Sequence, residues 1–319
     1  MKTFEEIYEE LQTVNNNELN DAWQEAKREN KKAQKIAGII CLIIDILLII
    51  RFGKSIINTG SLFFILPIIF FFIAINIIIF AIVKAISGAS KKERQFRLLY
   101  KNIVIKKIIS NFYNDLEYFP DKPMPEYIYN QGEYEYYDLY HSDDYFEALI
   151  DNKYSIQMGD ILTQEEETYR DSDGDKETRI ITKFHGLFAK IEMEKSIESE
   201  LKIMQNGSIR GKNRLNMDSS EFEKYFDVKA SNQIVGMQLL TADVMEELME
   251  FENNTNMKYD IYIKNNELYL RFHSGPMFEV VKLKNGALDK ESLKKYFYML
   301  NFTYNLSNRL INIVNDTQI

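Results

Sequence analysis

Two long apolar runs near the beginning of the chain constrain its fold more than any other feature. The first extends from Ile36 to Ile50 and the second from Leu62 to Val83. A helix needs about 20 apolar residues to cross a bilayer, with roughly 17–25 tolerated. The second run reaches that length, and the first does so when Ala33 and Phe52 are included and flanking basic side chains extend to the interface. The sequence therefore predicts a transmembrane helical hairpin over residues 36–86.

Basic residues on both sides of these runs predict the orientation of the hairpin. The connecting loop has only Arg51 and Lys54. The flanking basic residues are Lys27, Arg28, Lys31, Lys32, Lys35, Lys84, Lys91, Lys92, Arg94 and Arg97. Because basic residues collect on the cytoplasmic side of a membrane, we expect both termini in the cytoplasm and the short loop outside. The expected location is a cytoplasmic (inner) membrane, with the lipid bilayer as the first partner.

Each apolar run contains one polar residue, Asp45 in the stretch CLIIDILLIIRF and Asn76 in the second run. With a rise of 1.5 Å per residue, both lie roughly 10–14 Å from the cytoplasmic boundary of the hairpin. An ionisable group inside a membrane is a functional candidate by default. We favour an intramembrane polar pair that fixes the hairpin or a homo-oligomer. The alternative is a proton- or ion-handling oligomer built on Asp45.

The rest of the chain predicts an α+β fold with water-exposed helices around the hairpin and a domain after it. Residues 1–35 form amphipathic helices, with a capping box at Thr3 and Glu6, and residues 87–114 form a membrane-proximal helix. These helices either pack together as a stalk or lie on the lipid surface. Residues 115–319 form the cytoplasmic domain, which follows a proline-containing linker.

Segments rich in aromatic and β-branched residues predict the strands of this domain. They are YSIQMGDILT, TRIITKFHGLFAKIEM, ELKIMQ, KYDIYIKNNELYLRFH and MFEVVKL, with a hairpin turn at Asn265–Asn266. DSSEFEKYF and TADVMEELMEF predict helices, and a long C-terminal helix begins near Asp289. Because strands follow one another without intervening helices, a mainly antiparallel sheet is expected.

The charge and cysteine content exclude several kinds of function. The net charge of -9 argues against binding of nucleic acid. A single cysteine, Cys41, supplies neither a disulfide framework nor a zinc cluster. The segment from Asp115 to Glu177 is strongly acidic, which is typical of a solvated surface or of a surface that meets a basic protein partner. No phosphate-binding glycine loop and no catalytic motif is present, so no cofactor and no metal is expected.

Three groups of residues remain as candidate sites. His185 and His273 each lie close to a glycine at a predicted strand end, and would form an acid–base or metal site if they converged with a carboxylate. The basic residues Arg210, Lys212 and Arg214 would contact an anionic ligand or lipid head groups, or else form a solvated loop. The stretch DSDGD, residues 171–175, starts like a calcium loop but lacks the bidentate glutamate, which favours a hairpin turn.

The segment from about Arg97 to Phe278 resembles a bacterial membrane family known only as a domain of unknown function. The resemblance depends on Phe184, Gly186, Leu187 and Phe188, on Glu221 to Lys224 with Phe226, and on the pair Leu240 and Thr241. The family has an Ala-Arg pair where this chain has Gly236 and Met237. The resemblance implies two N-terminal spans and a cytoplasmic domain in a bacterium, but no activity.

Taken together, the sequence predicts a multi-pass membrane protein whose cytoplasmic domain binds a protein or a ligand. We expect a binding function rather than an enzymatic one. A membrane-anchored enzyme that uses His185 and His273 is the alternative, and a proton- or ion-handling oligomer that uses Asp45 is the third.

Overall fold

Helices at the beginning of the chain and a large antiparallel sheet after them form two separate units. The structure is a computed structural model that describes residues 1–14, 16–59, 62–170, 175–209, 214–280 and 288–316. The helical unit contains Glu9–Ile103 together with Val280–Asp289. The sheet unit contains Met1–Tyr8, Val104–Glu279 and Lys290–Ile319.

The first helix, α1 (Phe4–Val14), begins at the predicted capping box. The Thr3 backbone N–H donates to the Glu6 carboxylate at 2.7 Å, and the Glu6 N–H donates to the Thr3 hydroxyl at 3.4 Å. These two bonds satisfy backbone donors that have no partner within the helix. The capping box predicted from the sequence is therefore confirmed.

Two long helices, α2 (Asn16–Thr59) and α3 (Leu62–Ile86), contain the apolar runs. Within them, Asn17–Arg51 and Leu66–Ile86 are long and apolar enough to cross a bilayer, judged by length and composition. Only 11% and 0% of their apolar windows are buried. Helix α2 continues without a break through residues 35 and 36, where the sequence predicted a boundary between two segments.

A third helix of this unit, α4 (Ala89–Tyr100), follows a turn at Gly88, whose φ of 77° suits a residue without a side chain. Lys92 of α4 forms an ion pair with Glu25 of α2 at 3.0 Å, and Lys84 pairs with Glu93 at 2.6 Å. The chain continues through a π-helical turn, Lys101–Ile105, into α5 (Lys106–Ile109).

The second unit is built on an antiparallel sheet with the order β1-β2-β3-β4-β6-β5, in which β7 also pairs with β4. The α-helices that lie wholly within it are α5, α6 (Glu126–Asn130), α7 (Gln233–Leu239), α8 (Ala242–Thr255) and α9 (Lys290–Asp316). Its strands are β1 (Asn114–Phe119), β2 (Leu139–Ile150), β3 (Tyr154–Arg170), β4 (Lys176–Gln205), β5 (Arg214–Leu215), β6 (Phe226–Ala230) and β7 (Tyr259–Phe272). The predicted α+β class, with a mainly antiparallel sheet and a C-terminal helix, is confirmed.

The two faces of the sheet bury different side chains. On one face, Tyr129 of α6 packs against Phe184 and Phe188 of β4 and belongs to a cluster that includes Tyr262 and Tyr269. On the other face, Phe272 of β7 contacts aromatic side chains of α8 and α9. This division follows from the alternation of side chains along a strand.

Strand β7 folds back on itself at Asn265, which has a φ of 53°. The His273 N–H donates to the Lys258 carbonyl at 2.9 Å, and the Tyr262 and Tyr269 rings lie 5.8 Å apart. Both contacts join residues placed symmetrically about Asn265–Asn266, as in a hairpin with a two-residue turn. The hairpin turn predicted at these asparagines is therefore confirmed.

Three predicted elements differ from the structure. The segment MFEVVKL was predicted as a strand, but its described residues 277–280 do not lie in a strand, and its other residues lie outside the described part of the chain. The segments TRIITKFHGLFAKIEM and ELKIMQ were predicted as separate strands, but both lie in β4, which pairs with β3, β7 and β6 in turn along its length. DSSEFEKYF was predicted as a helix, but only Phe222–Lys224 is helical, as a 3-10 turn. Phe226 already belongs to β6, whose pairing with β4 outweighs the local helix preference.

Candidate functional site

A groove between α8 and α9 is a large concave surface of the sheet unit. Its volume is about 850 Å³. We call it the acidic groove; its lining residues are Asp243, Glu246, Glu247, Glu250, Phe251, Asn254, Thr255, Lys294, Tyr298, Asn301, Phe302, Asn305 and Arg309. Pockets of this size accommodate a small molecule or a few side chains of a partner protein.

Aromatic packing holds the two helices of the groove in place. The Phe251 ring of α8 stacks on the Phe302 ring of α9 with a centroid separation of 3.9 Å. Both rings also contact Tyr259 and Phe272 of β7, which fixes the helices to the sheet. Helix α8 begins after Thr241, whose hydroxyl caps the helix by accepting a bond from the Val244 N–H at 3.4 Å. The floor of the groove is therefore a rigid part of the core.

The rim of the groove carries more negative than positive charge. Four carboxylates of α8 face two basic residues of α9, Lys294 and Arg309. Arg309 lies 2.8 Å from Glu247 and 3.6 Å from Asp243. Burial raises the pKa of Glu247, while the charge of Arg309 opposes that rise.

Glu246 and Glu250, by contrast, are exposed, and no ion pair is found for either among the described residues. In the sequence, the segment TADVMEELMEF indicated only a helix. The recurrence of acids at positions 243, 246, 247 and 250, which form one helical face, was the signal that would have indicated a groove.

The two histidines predicted to converge have different surroundings. His185 of β4 lines an open cavity of about 300 Å³ together with His141 of β2. We call it the histidine cavity; its lining residues are His141, Ser142, Asp143, Asp160, Ile161, Leu162, His185, Pro276 and Glu279. His273 is not among them, and its ring packs edge-on against Phe184 at 5.3 Å.

Asp160, on β3, is the most buried acid of the histidine cavity, with 5% of its surface exposed. One carboxylate oxygen accepts the Met277 N–H at 2.5 Å, while the other has no hydrogen-bond partner in the described structure. Burial raises the pKa of Asp160 to about 8, and the charges of Asp143, Asp144 and Glu279 add to the rise. Sequence reasoning did not select this residue, because it lies in an ordinary strand pattern.

His273 instead belongs to an ionic network around two buried side chains, Arg271 and Asp260. Its Nε2 atom lies 2.9 Å from Asp260, which also accepts a bond from Arg271 Nη2 at 2.8 Å. Arg271 Nη1 donates to both carboxylate oxygens of Glu135, at 2.8 and 2.9 Å. The Arg271 guanidinium lies 4.1 Å from the centre of the Tyr134 ring. Such bidentate and stacked contacts suit the planar arginine side chain.

This network lowers the pKa of the Asp260 carboxyl. Burial by itself raises its pKa, but the hydrogen bond with His273 and the charge of Arg271 outweigh burial, so the pKa lies below its usual value. The Arg271 and Asp260 side chains are only 4% and 8% exposed. Through Arg271, the network joins β7 to the segment that contains Glu135.

Strand β4 requires glycine at position 186, next to His185 of the histidine cavity. A Cβ atom at Gly186 would lie 1.9 Å from the Phe272 carbonyl oxygen. The backbone there is also held by the Gly275 N–H, which donates to the His185 carbonyl at 3.1 Å. This close approach of two backbone segments explains why glycine follows Phe184 and His185.

In the helical unit, Asp45 and Asn76 are in contact. The Asn76 amide nitrogen lies 3.2 Å and 3.3 Å from the two oxygens of the Asp45 carboxylate and donates to the Phe72 carbonyl at 2.9 Å. The Cys41 thiol lies 3.9 Å from the Asn76 carbonyl, within reach of a weak hydrogen bond. These bonds join α2 to α3.

The basic cluster and the acidic turn are described only in part. Arg210 and Lys212 lie outside the described residues. Arg214 forms an ion pair with the buried Asp227 at 3.0 Å, and Asp227 also accepts the Gly207 and Ile209 N–H groups. Residues 171–174 of DSDGD lie outside the description as well, while Arg170 and Lys176 on either side pair with each other as a hairpin requires.

Residues 182–311 match the family model described as "Protein of unknown function (DUF3137)". The match supports the resemblance to a domain of unknown function. It includes the whole acidic groove and the residues His185, Asp260, Arg271 and His273, whereas Asp160 precedes it.

No match was found among curated proteins. Among solved structures, the mycobacterial trehalose monomycolate transport factor A aligns over 46% of this chain and 74% of its own. The identity is 5% and the TM-score is 0.25, which does not show a shared fold.

Proposed function

We propose that this protein is a membrane-anchored binding protein whose acidic groove holds a basic segment of a partner protein. The observation that carries the proposal is the groove itself. An aromatic floor lies beneath a rim with four carboxylates and two basic side chains. A helix or strand with lysine and apolar residues complements such a surface in both charge and polarity.

The exposure of apolar side chains supports anchoring in a bilayer. Leu42 and Ile50 of α2 are 62% and 73% exposed, and Phe70 of α3 is 74% exposed. Contiguous apolar surface of this extent is rare on proteins in water. A core helix of a soluble protein would bury these side chains, whereas the low burial of both windows suits contact with lipid. We place the helices in the inner membrane of a bacterium, with both termini in the cytoplasm.

The different surroundings of His185 and His273 favour binding over the enzymatic alternative. An acid–base site built on both histidines needs them to face one substrate. His185 lines the histidine cavity, while His273 is bonded to Asp260 beside the buried Arg271. We therefore regard His273 as a structural residue of the ionic network.

Charge reversal in the groove is expected to weaken the binding of a basic peptide. The double variant Glu246→Lys and Glu250→Lys replaces two exposed carboxylates on one face of α8. The full-length protein in nanodiscs of zwitterionic lipid is titrated with a fluorescent amphipathic peptide of lysine and leucine. Because two attractions become repulsions, we expect at least about a tenfold loss of affinity, which corresponds to about 1.4 kcal/mol.

A matched control separates the groove from the overall charge of the protein. The double variant Glu198→Lys and Asp218→Lys makes the same change in net charge at two exposed acids outside the groove. It should bind the peptide as the unmodified protein does. Equal losses for both double variants would mean that the peptide recognises net charge and that the groove is not its site.

The Asp45 and Asn76 pair also has a distinguishing experiment. We propose that it fixes the hairpin, in which case Asp45→Asn weakens association of α2 with α3 but produces no change in ion flux. A proton- or ion-handling oligomer would instead lose flux. The measurement is ion flux in proteoliposomes beside thermal unfolding in detergent. Flux that is present in the unmodified protein and absent from Asp45→Asn would contradict the structural role.

A further inference from the structure

The histidine cavity brings together ionisable side chains from three adjacent strands. In the register of the sheet, His141 of β2 pairs with Leu162 of β3, which pairs with His185 of β4. Two residues further along β2, Asp143 pairs with Asp160 of β3. Paired residues of an antiparallel sheet point to the same face, and positions two apart on one strand share a face, so both imidazoles and both carboxylates lie on one face of the sheet. The convergence arises from strand register and does not depend on proximity in the sequence.

The buried carboxyl of Asp160 lacks one hydrogen bond. The Met277 N–H satisfies one oxygen, and the other is buried without a partner in the described structure. Buried polar atoms without partners are uncommon and cost stability. A ligand that donates a hydrogen bond to this oxygen would remove that cost. A positive charge on the ligand would in addition stabilise the ionised form of Asp160 beside Asp143.

The charges around the cavity select the sign of such a ligand. The charged residues of its lining are Asp143, Asp160 and Glu279, and no lysine or arginine is among the described residues that line it. The imidazole rings of His141 and His185 add nitrogen atoms that can accept hydrogen bonds. The volume of about 300 Å³ is at the small end of ligand sites. An anion is disfavoured on every side, and a large ligand does not fit.

We propose that the histidine cavity binds a small molecule through a primary ammonium group, with Asp160 as the buried acceptor. The N–H donors of an ammonium group match the carboxylate and imidazole acceptors, and its charge offsets the clustered acids. A metal ion is the competing cation, but no three histidine, cysteine or acidic side chains in the described residues are arranged to hold one. The site is independent of the acidic groove, so its failure would leave the proposed function intact.

The first test is calorimetric titration of the full-length protein in phosphatidylcholine nanodiscs with 1,5-diaminopentane. The uncharged 1,5-pentanediol serves as the matched ligand control. We expect saturable binding of the diamine and none of the diol. Because burial keeps Asp160 largely protonated near neutral pH and a nearby positive charge lowers a carboxyl pKa, binding should also release up to about one proton at pH 7. Titrations in two buffers of different ionisation enthalpy measure that release.

Variants assign the binding to this cavity. Asp160→Asn should reduce affinity at least about tenfold and abolish proton release. Glu279→Gln, at an exposed position, should weaken binding several-fold and keep the proton release. Glu198→Gln, outside the cavity, should change neither. Nanodiscs that contain phosphatidylethanolamine test the second source of an ammonium group, because lipid head groups that occupy the site would compete with the diamine.

Three results would overturn the proposal. The diol could bind as well as the diamine, which would exclude recognition of the charge. Zinc or manganese ions could bind while the diamine does not, which would make the cavity a metal site. Finally, Asp160→Asn and Glu279→Gln could both bind the diamine like the unmodified protein, which would place the ligand elsewhere.

Discussion

Replacement of Arg271 by glutamine is expected to lower the free energy of unfolding by about 3–5 kcal/mol. Arg271 is 4% exposed and holds Asp260 and Glu135 through four hydrogen bonds. Glutamine cannot supply these donors or the positive charge, so the buried Asp260 carboxylate loses its arginine partner and keeps only its contact with His273. Thermal and urea unfolding of the full-length protein in detergent measures the change.

Arg179 offers a matched control for this prediction. It also pairs with a carboxylate, Glu167, at 2.6 Å and lies beside a tyrosine ring, but its side chain is 62% exposed. Exposed pairs of this kind contribute about 0–1 kcal/mol. Arg179→Gln should therefore change stability little. Equal effects of the two substitutions would contradict the view that the Arg271 network is buried and interdependent.

The Asp160→Asn variant is expected to remove a large dependence of stability on pH. The pKa of Asp160 in the folded protein is about 8, above the ordinary aspartate value of 3.8. The folded state therefore holds a proton that the unfolded state has already released. Stability is fully present below the unfolded pKa and is lost as pH rises through the folded pKa. Between about pH 5 and pH 9 the loss is on the order of 4 kcal/mol.

The asparagine variant should lack this loss and become relatively more stable in alkaline solution. The measurement is the free energy of unfolding across that pH range for the unmodified protein and for Asp160→Asn. Asp218→Asn, at an exposed acid, is the control and should leave the pH profile unchanged. Parallel profiles for the unmodified protein and Asp160→Asn would show that Asp160 ionises normally in the folded state.

Features that depend on local sequence were predictable. The apolar runs of α2 and α3 needed only composition, the capping box at Thr3 and Glu6 needed only a four-residue spacing, and the turn at Asn265–Asn266 needed only two asparagines between strand patterns. Each of these depends on residues that lie close together in the chain, so the physical causes can be recognised in a short window.

Features that depend on strand register were not predictable. His141 and His185 line one cavity only because β2, β3 and β4 pair with one particular alignment, and a shift of one residue would turn His185 to the other face. Glu135, the partner of Arg271, lies in an irregular segment 136 residues away in the chain, so no local pattern connects the two. The acidic groove requires α8 and α9 to lie side by side, which follows from the stacking of Phe251 on Phe302. Such long-range contacts cannot be recognised from patterns in a short window of one sequence.

The most direct test of a membrane-anchored protein with cytoplasmic termini is the labelling of single cysteines. In a Cys41→Ser background, Ser55→Cys places a thiol in the region between the apolar runs, and Ser90→Cys places one just after the second run. The protein should stay in the membrane pellet after an alkaline carbonate wash. An impermeant maleimide added to intact cells should label position 55, and should label position 90 only after permeabilisation. Release by carbonate, or labelling of position 55 only from the inside, would contradict the account.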